Sequence, residues 1–214
     1  MKELSSADIA SLLAPYHAAP NHQLIERIRA YIRLLLSWNR RISLTTVTDP
    51  IEIVKFHFGE SLFAVSALPV ENCRLADVGS GAGFPGMPLA MAIPGLQVTL
   101  IESNAKKVAF LFEVVRRTEL SNVNVVRSRM EDFAATEPFD SICARAVGKH
   151  ASLMRWARHN LNPKGRLVLF LGEEDTDEVR EASGWNWESP VKIPGSAHRF
   201  ILSGSPDVLP SKRP

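Results

Sequence analysis

The sequence has few cysteines and no long apolar run. Its only two cysteines, Cys73 and Cys143, lie far apart in strand-like segments, so we expect buried, reduced thiols and neither a disulfide framework nor a metal site. The N-terminus lacks the apolar core of a signal peptide. No apolar stretch approaches the about 20 residues that a membrane helix requires. We therefore expect a soluble cytoplasmic protein.

A strong charge of either sign is also absent. Lysine and arginine total 25 against 23 for aspartate and glutamate, a net charge of +2. Any contact with RNA or DNA must therefore come from a local basic patch. Apolar residues make up 45% and charged residues 22% of the 214 residues, which excludes a disordered chain, a coiled coil and a fibrous protein. The length predicts one domain with a small extension.

Residues 1–70 are predicted to form an N-terminal helical extension. A short helix is expected around residues 9–13, and a second begins after Asn21, with apolar residues repeating at helical spacing. The pair Asp49-Pro50 is a typical helix start, with a capping acid followed by proline at the first helical position. This third helix is expected to run to about residue 68.

Beyond residue 70, short β-branched runs alternate with helical segments. Strands are predicted at 75–78, 98–102, 123–126, 141–147 and 166–171, and helices at 88–93, 104–119, 150–161 and 174–182. This alternation predicts an α/β fold with a doubly wound, mostly parallel sheet over residues 71–204. The runs 191–193 and 199–202 are predicted to form a hairpin that adds an antiparallel strand. Residues 205–214 are expected to be a flexible tail.

A glycine-rich segment lies between the first predicted strand and the next helix. It reads Asp77-Val78-Gly79-Ser80-Gly81-Ala82-Gly83-Phe84-Pro85-Gly86. Glycine lets a ligand approach the backbone, and this turn of a doubly wound sheet is where nucleotide-like ligands bind. We predict that Gly79, Gly81 and Gly83 bind a cofactor. Asp77 is predicted either to face that cofactor or to hold the loop by hydrogen bonds, and the two roles can coexist.

Acidic residues at two further strand ends indicate the kind of cofactor. Glu102 ends the second strand, where a carboxylate accepts hydrogen bonds from ribose hydroxyls in NAD or in S-adenosylmethionine (SAM). Pro85 and Pro88 remove N–H donors from the helix start that a pyrophosphate would need. Met130 and Glu131 follow the third strand and are predicted to cover an adenine, although Glu131 can equally be an acid at a helix start. SAM is favoured over NAD.

Several motifs together resemble the bacterial 16S rRNA guanine-N7 methyltransferases of the RsmG (GidB) type over residues 24–203. The most specific is the extended glycine loop, in which Phe84-Pro85-Gly86 continues into Met87-Pro88-Leu89. The other matching segments are Trp38–Thr45, Asp49-Pro50, His57 with Glu60-Ser61, Glu102-Ser103 with Lys106-Lys107, Arg129–Glu131, and Phe139-Asp140 with Ala144-Arg145-Ala146. The family usually has other residues at Ser43, Phe56, Glu60 and near Leu171.

The resemblance implies a class I SAM-dependent methyltransferase with an N-terminal helical extension. It implies cofactor contacts at Gly79, Phe84, Met130, Glu131 and Arg145. The implied substrate is one guanine of 16S rRNA near the decoding region of the 30S subunit, methylated at N7. An NAD(P)-dependent oxidoreductase and a non-catalytic RNA-binding module that kept a nucleotide pocket remain the alternatives.

The implied reaction requires no general base, because guanine N7 carries a lone pair and no proton. No catalytic residue is assigned with certainty, and Arg145 and His57 are the candidates for positioning. Arg145 is expected to pair with a carboxylate, either that of SAM or one of the protein. His57 is expected either at a ligand edge or, as is more usual for a lone histidine, packed in the core.

Binding to RNA is predicted for two basic pairs. Arg40 and Arg41 follow Trp38 in the helical extension, and Lys106 and Lys107 follow Glu102. Each cation that neutralises a phosphate adds a salt-dependent contribution to affinity. The expected partner is 16S rRNA in the 30S subunit, and the protein is expected to act as a monomer.

Overall fold

The computed structural model describes residues 3–68 and 73–207. These form one eight-stranded sheet with helices packed against both of its faces. The strands are β1 Arg74–Val78, β2 Gln97–Glu102, β3 Val123–Arg127, β4 Phe139–Arg145, β5 Leu161–Gly172, β6 Trp185–Trp187, β7 Val191–Lys192 and β8 Arg199–Pro206. The α-helices are α1 Ser6–Leu13, α2 His22–Asn39, α3 Pro50–Ile53, α4 Glu60–Phe63, α5 Gly86–Ala92, α6 Ala105–Thr118, α7 His150–Asn160 and α8 Glu173–Arg180.

The strand order is β3-β2-β1-β4-β5-β8-β6, with β7 paired to β8. The first five strands of this order are parallel, and β8 is antiparallel to β5. The chain moves outward from β1 to β3 and then returns to place β4 on the other side of β1. Ligands bind at the carboxyl ends of the strands where the order reverses. The fold therefore directs attention to the loops that follow β1 and β4.

The alternation of strand side chains produces two hydrophobic clusters. Leu75 and Leu100 face one cluster, which also holds buried residues of α1, α2, α5 and α6. Ala76 and Ile101 face the other, together with Leu153 of α7. The helices of the first 68 residues thus share a continuous core with the sheet.

Helix α2 lies antiparallel to α6. Arg27, near the start of α2, donates from Nε to the carbonyl of Thr118 at 2.9 Å, at the end of α6. Near the other end of α2, the ring of Trp38 lies 5.7 Å from that of Phe110. This direction brings the end of α2 beside the start of α6, at the carboxyl edge of the sheet.

Two helix starts were predicted from capping residues, whereas α1 begins at Ser6 with Ser5 as its cap, earlier than the expected residues 9–13. Asn21 caps α2, and Asp49 caps α3 with Pro50 at the first helical position, as expected. The helical run from Pro50 continues to residue 67, but it contains a π-helical segment, Val54–Gly59, that the sequence pattern did not predict. A π-helical turn changes which backbone carbonyls are free to accept hydrogen bonds.

Strand boundaries differ from prediction at several places. β4 ends at Arg145 rather than at 147, so residues 146–149 belong to a loop. β6 was missed, because its three residues are too few for an alternating pattern to be recognised. The hairpin of β7 with β8 is confirmed, and both cysteines are buried and free. β8 continues through Pro206, so residues 205–206 are not tail; 208–214 lie outside the described residues.

Within the part of the chain that the structure describes, no helix has the length and apolarity that spanning a membrane requires. The same residues contain no group of three or more histidine, cysteine, aspartate or glutamate side chains placed to hold a metal ion.

Candidate cofactor and substrate site

The glycine loop between β1 and α5 turns through backbone conformations that favour glycine. Gly79, Gly81 and Gly83 have φ values of 70°, 59° and 88°. The N–H groups of Gly79 and Ser80 both donate to the carbonyl of Ile101, at 2.9 and 3.1 Å, which ties the loop to the end of β2. A Cβ on Gly83 would collide with the side chains of Tyr31 and Met87. The loop is therefore fixed by close packing on its inner side.

Asp77 holds this loop from below. Its side chain is fully buried, and Oδ2 accepts the N–H of Gly86 at 3.0 Å. Oδ1 is buried without a hydrogen-bond partner, and burial raises the pKa of this carboxyl to about 6. Of the two roles expected for Asp77, the structure shows the one that holds the loop. Its carboxylate lies beneath the loop and does not line the cavity above it.

Glu102 holds the same loop from the end of β2. Its Oε2 accepts the N–H of Gly81 at 2.9 Å, and Oε1 accepts that of Asn104 at 2.7 Å. Each carboxylate oxygen has two lone-pair positions, so both oxygens keep acceptor capacity. The side chain is 7% exposed, and that exposed part borders a cavity. Glu102 is therefore placed to accept hydroxyl donors of a ligand.

The glycine-loop cavity, of about 420 Å³, opens over the carboxyl ends of β1 to β4. It is lined by Val78, Gly79, Ile101, Glu102, Ser103, Ser128, Arg129, Met130, Glu131, Val147, Gly148 and Lys149. Four of the predicted cofactor residues meet here: Gly79, Glu102, Met130 and Glu131. Gly81, Gly83 and Phe84 do not line it, and contribute through the shape of the loop.

The start of α5 is closed to a pyrophosphate. Pro85 and Pro88 carry no N–H, that of Gly86 donates to Asp77, and that of Met87 donates to the carbonyl of Gly83 at 2.8 Å. A dinucleotide needs free N–H groups at this position. The cavity, the acid at the end of β2 and the absence of anion-binding donors on Gly86 and Met87 fit the adenosyl part of SAM better than NAD.

Phe84 lies in an aromatic cluster rather than in the cavity. Its ring stacks on Tyr31 at 5.3 Å and on His57 at 4.7 Å, and Arg145 lies 5.3 Å above it. The side chain is 4% exposed. The ring of Phe84 therefore does not make the cofactor contact that was predicted for this residue. It packs instead between the glycine loop and Arg145.

Arg145, at the end of β4, is bonded to the π-helical segment. Its guanidinium donates to the carbonyl of Phe56 at 3.0 Å and to Nδ1 of His57 at 3.1 Å. Burial lowers the pKa of this guanidinium, while Glu60 and Asp77 oppose the change through their charge. Among the described residues no carboxylate forms an ion pair with Arg145, so the expected salt bridge to a protein acid is wrong. The carboxylate of a cofactor stays a prediction.

His57 is a neutral link between two segments. Burial, followed by the charge of Arg145, lowers the pKa of its imidazole to about 3. Because arginine only donates hydrogen bonds, Nδ1 of His57 must accept one. Nε2 therefore carries the proton and donates a hydrogen bond to Oγ1 of Thr45 at 2.8 Å. Both ring nitrogens are used, so His57 orients Arg145 and is not free to bind a substrate.

A second cavity, of about 470 Å³, lies on the other side of Arg145 and is called here the Arg145 cavity. It is lined by Val47, Phe56, His57, Glu60, Arg145, Ala146, Phe170, Leu171, Gly172, Asp175, Ile193 and Arg199. Glu60 and Arg199 form an ion pair at 2.8 Å in its wall. Sequence reasoning assigned neither of them a role; the one available signal was an acid within the apolar run 56–63.

The two cavities meet at the loop that follows β4. A middle cavity of about 540 Å³ shares Val147, Gly148 and Lys149 with the glycine-loop cavity, and Ala146, Phe170, Leu171 and Asp175 with the Arg145 cavity. A ligand in one cavity therefore lies across a single loop from a ligand in the other.

The four cations predicted to bind RNA lie at the same edge of the sheet. Lys106 and Lys107 are in the first turn of α6, and Arg40 and Arg41 follow the end of α2 that packs beside it. All except Lys107 are exposed. From Arg40 the chain leads to Thr45, which holds His57. The placement is compatible with the predicted RNA contact.

Comparison with known proteins identifies relatives over most of the chain. The family model GidB, described as rRNA small subunit methyltransferase G, matches residues 24–190. A ribosomal RNA small subunit methyltransferase G from Stenotrophomonas maltophilia is 41% identical over 180 residues, covering 81% of this chain and 84% of that protein. The protein of the same name from Photobacterium profundum is 31% identical over 201 residues, covering 91% and 97%.

Solved structures support the fold. A SAM-dependent methyltransferase from Aquifex aeolicus superposes with a TM-score of 0.59 at 18% identity, covering 73% of this chain and 93% of that one. The glycopeptide N-methyltransferase MtfA in complex with SAM gives a TM-score of 0.59 at 12% identity, covering 72% and 87%. The chain thus has the class I SAM-dependent methyltransferase fold that the family resemblance implied, with the mostly parallel sheet that the alternation of strands and helices predicted.

Proposed function

This chain belongs to the rRNA small subunit methyltransferase G family, and we propose that it binds SAM in the glycine-loop cavity and methylates N7 of one guanine in the 16S rRNA of the 30S subunit. It does so as a monomer in the cytoplasm. The observation that carries this proposal is the pair of cavities on either side of the loop 146–149, one suited to an adenosyl group and one to a base.

The glycine-loop cavity offers each part of SAM a matching group. Glu102 accepts the ribose hydroxyls, and Met130 with Glu131 covers the adenine and its exocyclic amine. Gly79 keeps the floor free of a side chain. The methionine carboxylate has Arg145 as its predicted partner, through the N–H groups that Phe56 and His57 leave unused.

When bound, SAM supplies the methyl group: the N7 lone pair forms the N–C bond as the C–S bond breaks, the bonding electrons stay on sulfur, and the positive charge passes to the purine. No proton leaves in this step, so the protein needs no general base. The chain's contribution is to hold the two reactants in near-attack geometry, worth at most roughly 7–11 kcal/mol. His57 serves this purpose by fixing Arg145.

A titration distinguishes the cofactor alternatives. Isothermal calorimetry of the chain with SAM, and separately with NAD, is expected to show binding of SAM only. Binding of NAD without SAM would support the oxidoreductase alternative and contradict the proposal.

A transfer experiment tests the reaction itself. Purified 30S subunits from a strain that lacks the corresponding gene are incubated with the chain and methyl-labelled SAM, and the 16S rRNA is digested to nucleosides for mass spectrometry. We expect label in 7-methylguanosine. SAM binding without any transfer would leave the chain an RNA-binding module, and label in another nucleoside would overturn the N7 assignment.

A further inference from the structure

The Arg145 cavity has the size and the wall chemistry of a base pocket. Its volume of about 470 Å³ falls within the roughly 300–1,000 Å³ that is usual for ligand sites. Phe56 and Phe170 supply apolar surface, while Glu60 supplies acceptors and Arg145 and Arg199 supply donors. A planar group with hydrogen-bond donors on one edge and an acceptor on the adjacent edge would find partners among these residues.

Glu60 is the buried acceptor of this pocket. Its residue is 2% exposed, and Oε1 contacts Nη2 of Arg199 at 2.8 Å. The same carboxylate lines the cavity. An ionised carboxylate only accepts hydrogen bonds, so a ligand that donates to it gains affinity and specificity. The pocket therefore favours ligands that present N–H donors to Glu60.

Arg145 supplies the complementary donors. Its guanidinium has five N–H groups, of which two are used on Phe56 and His57. Arg145 ends β4 directly before the loop that borders the glycine-loop cavity. Within the pocket, the donors of Arg145 thus lie nearer the glycine-loop cavity, and the acceptor, Glu60, lies on α4.

We propose that Glu60 determines the choice of base: its carboxylate accepts the N1–H and the N2 amino group of the target guanine, and Arg145 donates to O6. This rests on the function proposed above. Enzymes that act on an extruded base read its Watson–Crick edge in this way. Guanine N7 lies on the side of the purine opposite N1 and N2, so a base held by Glu60 turns N7 towards the loop 146–149. Adenine presents an acceptor at N1 and an amino group at position 6, and is rejected at both places.

The first test measures base preference directly. Chemical-shift titrations of the chain saturated with S-adenosylhomocysteine use guanosine, inosine and adenosine 5′-monophosphates. We expect guanosine to bind about ten times more tightly than inosine, which lacks the N2 amino group, and adenosine to bind most weakly. In Glu60→Gln the preference for guanosine over inosine falls to within about twofold. Equal affinities in the wild-type chain would overturn the proposal.

The second test uses methyl transfer to 30S subunits. Glu60→Gln is expected to lower kcat/KM by roughly 10–100-fold, with SAM affinity unchanged within about twofold. The matched control is Glu52→Gln, which makes the same chemical change in the same helical run, at a partly exposed pair with Lys55. This variant is expected to keep wild-type transfer. Unchanged transfer by Glu60→Gln would contradict the proposal.

A conservative variant covers the case in which Glu60→Gln fails to fold. Glu60→Asp keeps the carboxylate, so it is expected to bind each nucleotide more weakly but to keep the order guanosine, inosine, adenosine. Loss of this order in a folded Glu60→Asp would show that Glu60 serves only to anchor Arg199. Absence of S-adenosylhomocysteine binding would instead refute the proposed function, which keeps the two failures distinct.

Discussion

The glycine-loop cavity and the Arg145 cavity lie on either side of one loop but are built differently. The first is formed by the glycine loop and by side chains that follow four consecutive strands, and hydrogen bonds to Asp77 and Glu102 fix its loop. The second is formed by charged and aromatic side chains from the N-terminal helices, β4, β5 and the β7–β8 hairpin. Its groups are held by long-range contacts such as those of Arg145 with Phe56 and His57.

This difference separates two tasks. Adenosyl recognition is assigned to a backbone turn whose glycines have positive φ values and to side chains at the ends of β2 and β3. Base recognition is assigned to side chains that come together only when the helical extension packs on the sheet. A substitution in one cavity is therefore expected to leave ligand binding in the other intact, except at Arg145, which is proposed to donate both to the carboxylate of SAM and to the base.

The largest expected effect tests the glycine-loop side. Glu102→Ala removes the proposed acceptor of the ribose hydroxyls and the hydrogen bonds from Gly81 in the glycine loop and from Asn104 before α6. SAM affinity is therefore expected to fall by roughly 10–100-fold, as for lost hydrogen bonds to a charged group. Calorimetric titration with SAM measures it. Glu131→Ala, at the exposed rim of the same cavity, is expected to cost less. A larger loss in Glu131→Ala would reverse the roles given to these acids.

The pH dependence of transfer tests the Arg145 side. Burial raises the pKa of Glu60 to about 7, against the opposing charges of Arg199 and Arg145. The accepting form is the carboxylate, so kcat/KM is expected to fall about tenfold per pH unit below this pKa. Transfer rates at several pH values measure this. In Glu60→Gln the additional acid limb near pH 7 should be absent, and its persistence would exclude Glu60 as the group responsible.

Neighbouring groups do not account for such a limb. His57, with a pKa of about 3, stays neutral in this range, and burial raises the pKa of Tyr16, which stays protonated. Asp77, with a pKa of about 6, is present in both enzymes, so it does not produce a difference between them.

Gly79 and Gly195 form a matched pair for a smaller effect. Both have a φ of 70°, and a Cβ on either would lie 3.4 Å from one side-chain atom, of Val147 or of Tyr16. Alanine at either position is expected to lower the unfolding free energy by about 1–2 kcal/mol. Only Gly79→Ala places its methyl group in the glycine-loop cavity, so it alone should weaken SAM binding, by about tenfold. Equal SAM affinities in the two variants would show that Gly79 does not contact the cofactor.

The smallest effect concerns RNA. Replacing Arg40 and Arg41 by alanine removes two exposed cations at the carboxyl edge, so the slope of log affinity against log salt should fall by about 1.5. Binding to 30S subunits at several salt concentrations measures it. Arg116 and Arg117, at the far end of α6, provide the control with the same change in charge. An equal fall in the control would argue for a general charge effect.

The sequence was sufficient where structure is local. Helix starts at Asn21 and Asp49 and the glycine turn follow from residue types a few positions apart. The parallel sheet follows from the alternation of strand-like and helical segments. Glu102 and Met130 could be placed at the cavity because strand ends in this fold share an edge. The π-helical segment, the partners of Arg145 and the pair of Glu60 with Arg199 could not be predicted, because they depend on how distant segments pack. Asp77 shows the remaining difficulty, since its type and position suit both roles considered for it.

A crystal structure of the chain with S-adenosylhomocysteine tests the central claim most directly. We predict ribose hydroxyls on Glu102, adenine beside Met130 and Glu131, and the sulfur facing the loop 146–149 next to an open Arg145 cavity. An adenosyl group seated in the Arg145 cavity, or a sulfur pointing away from that loop, would contradict the division of tasks between the two cavities.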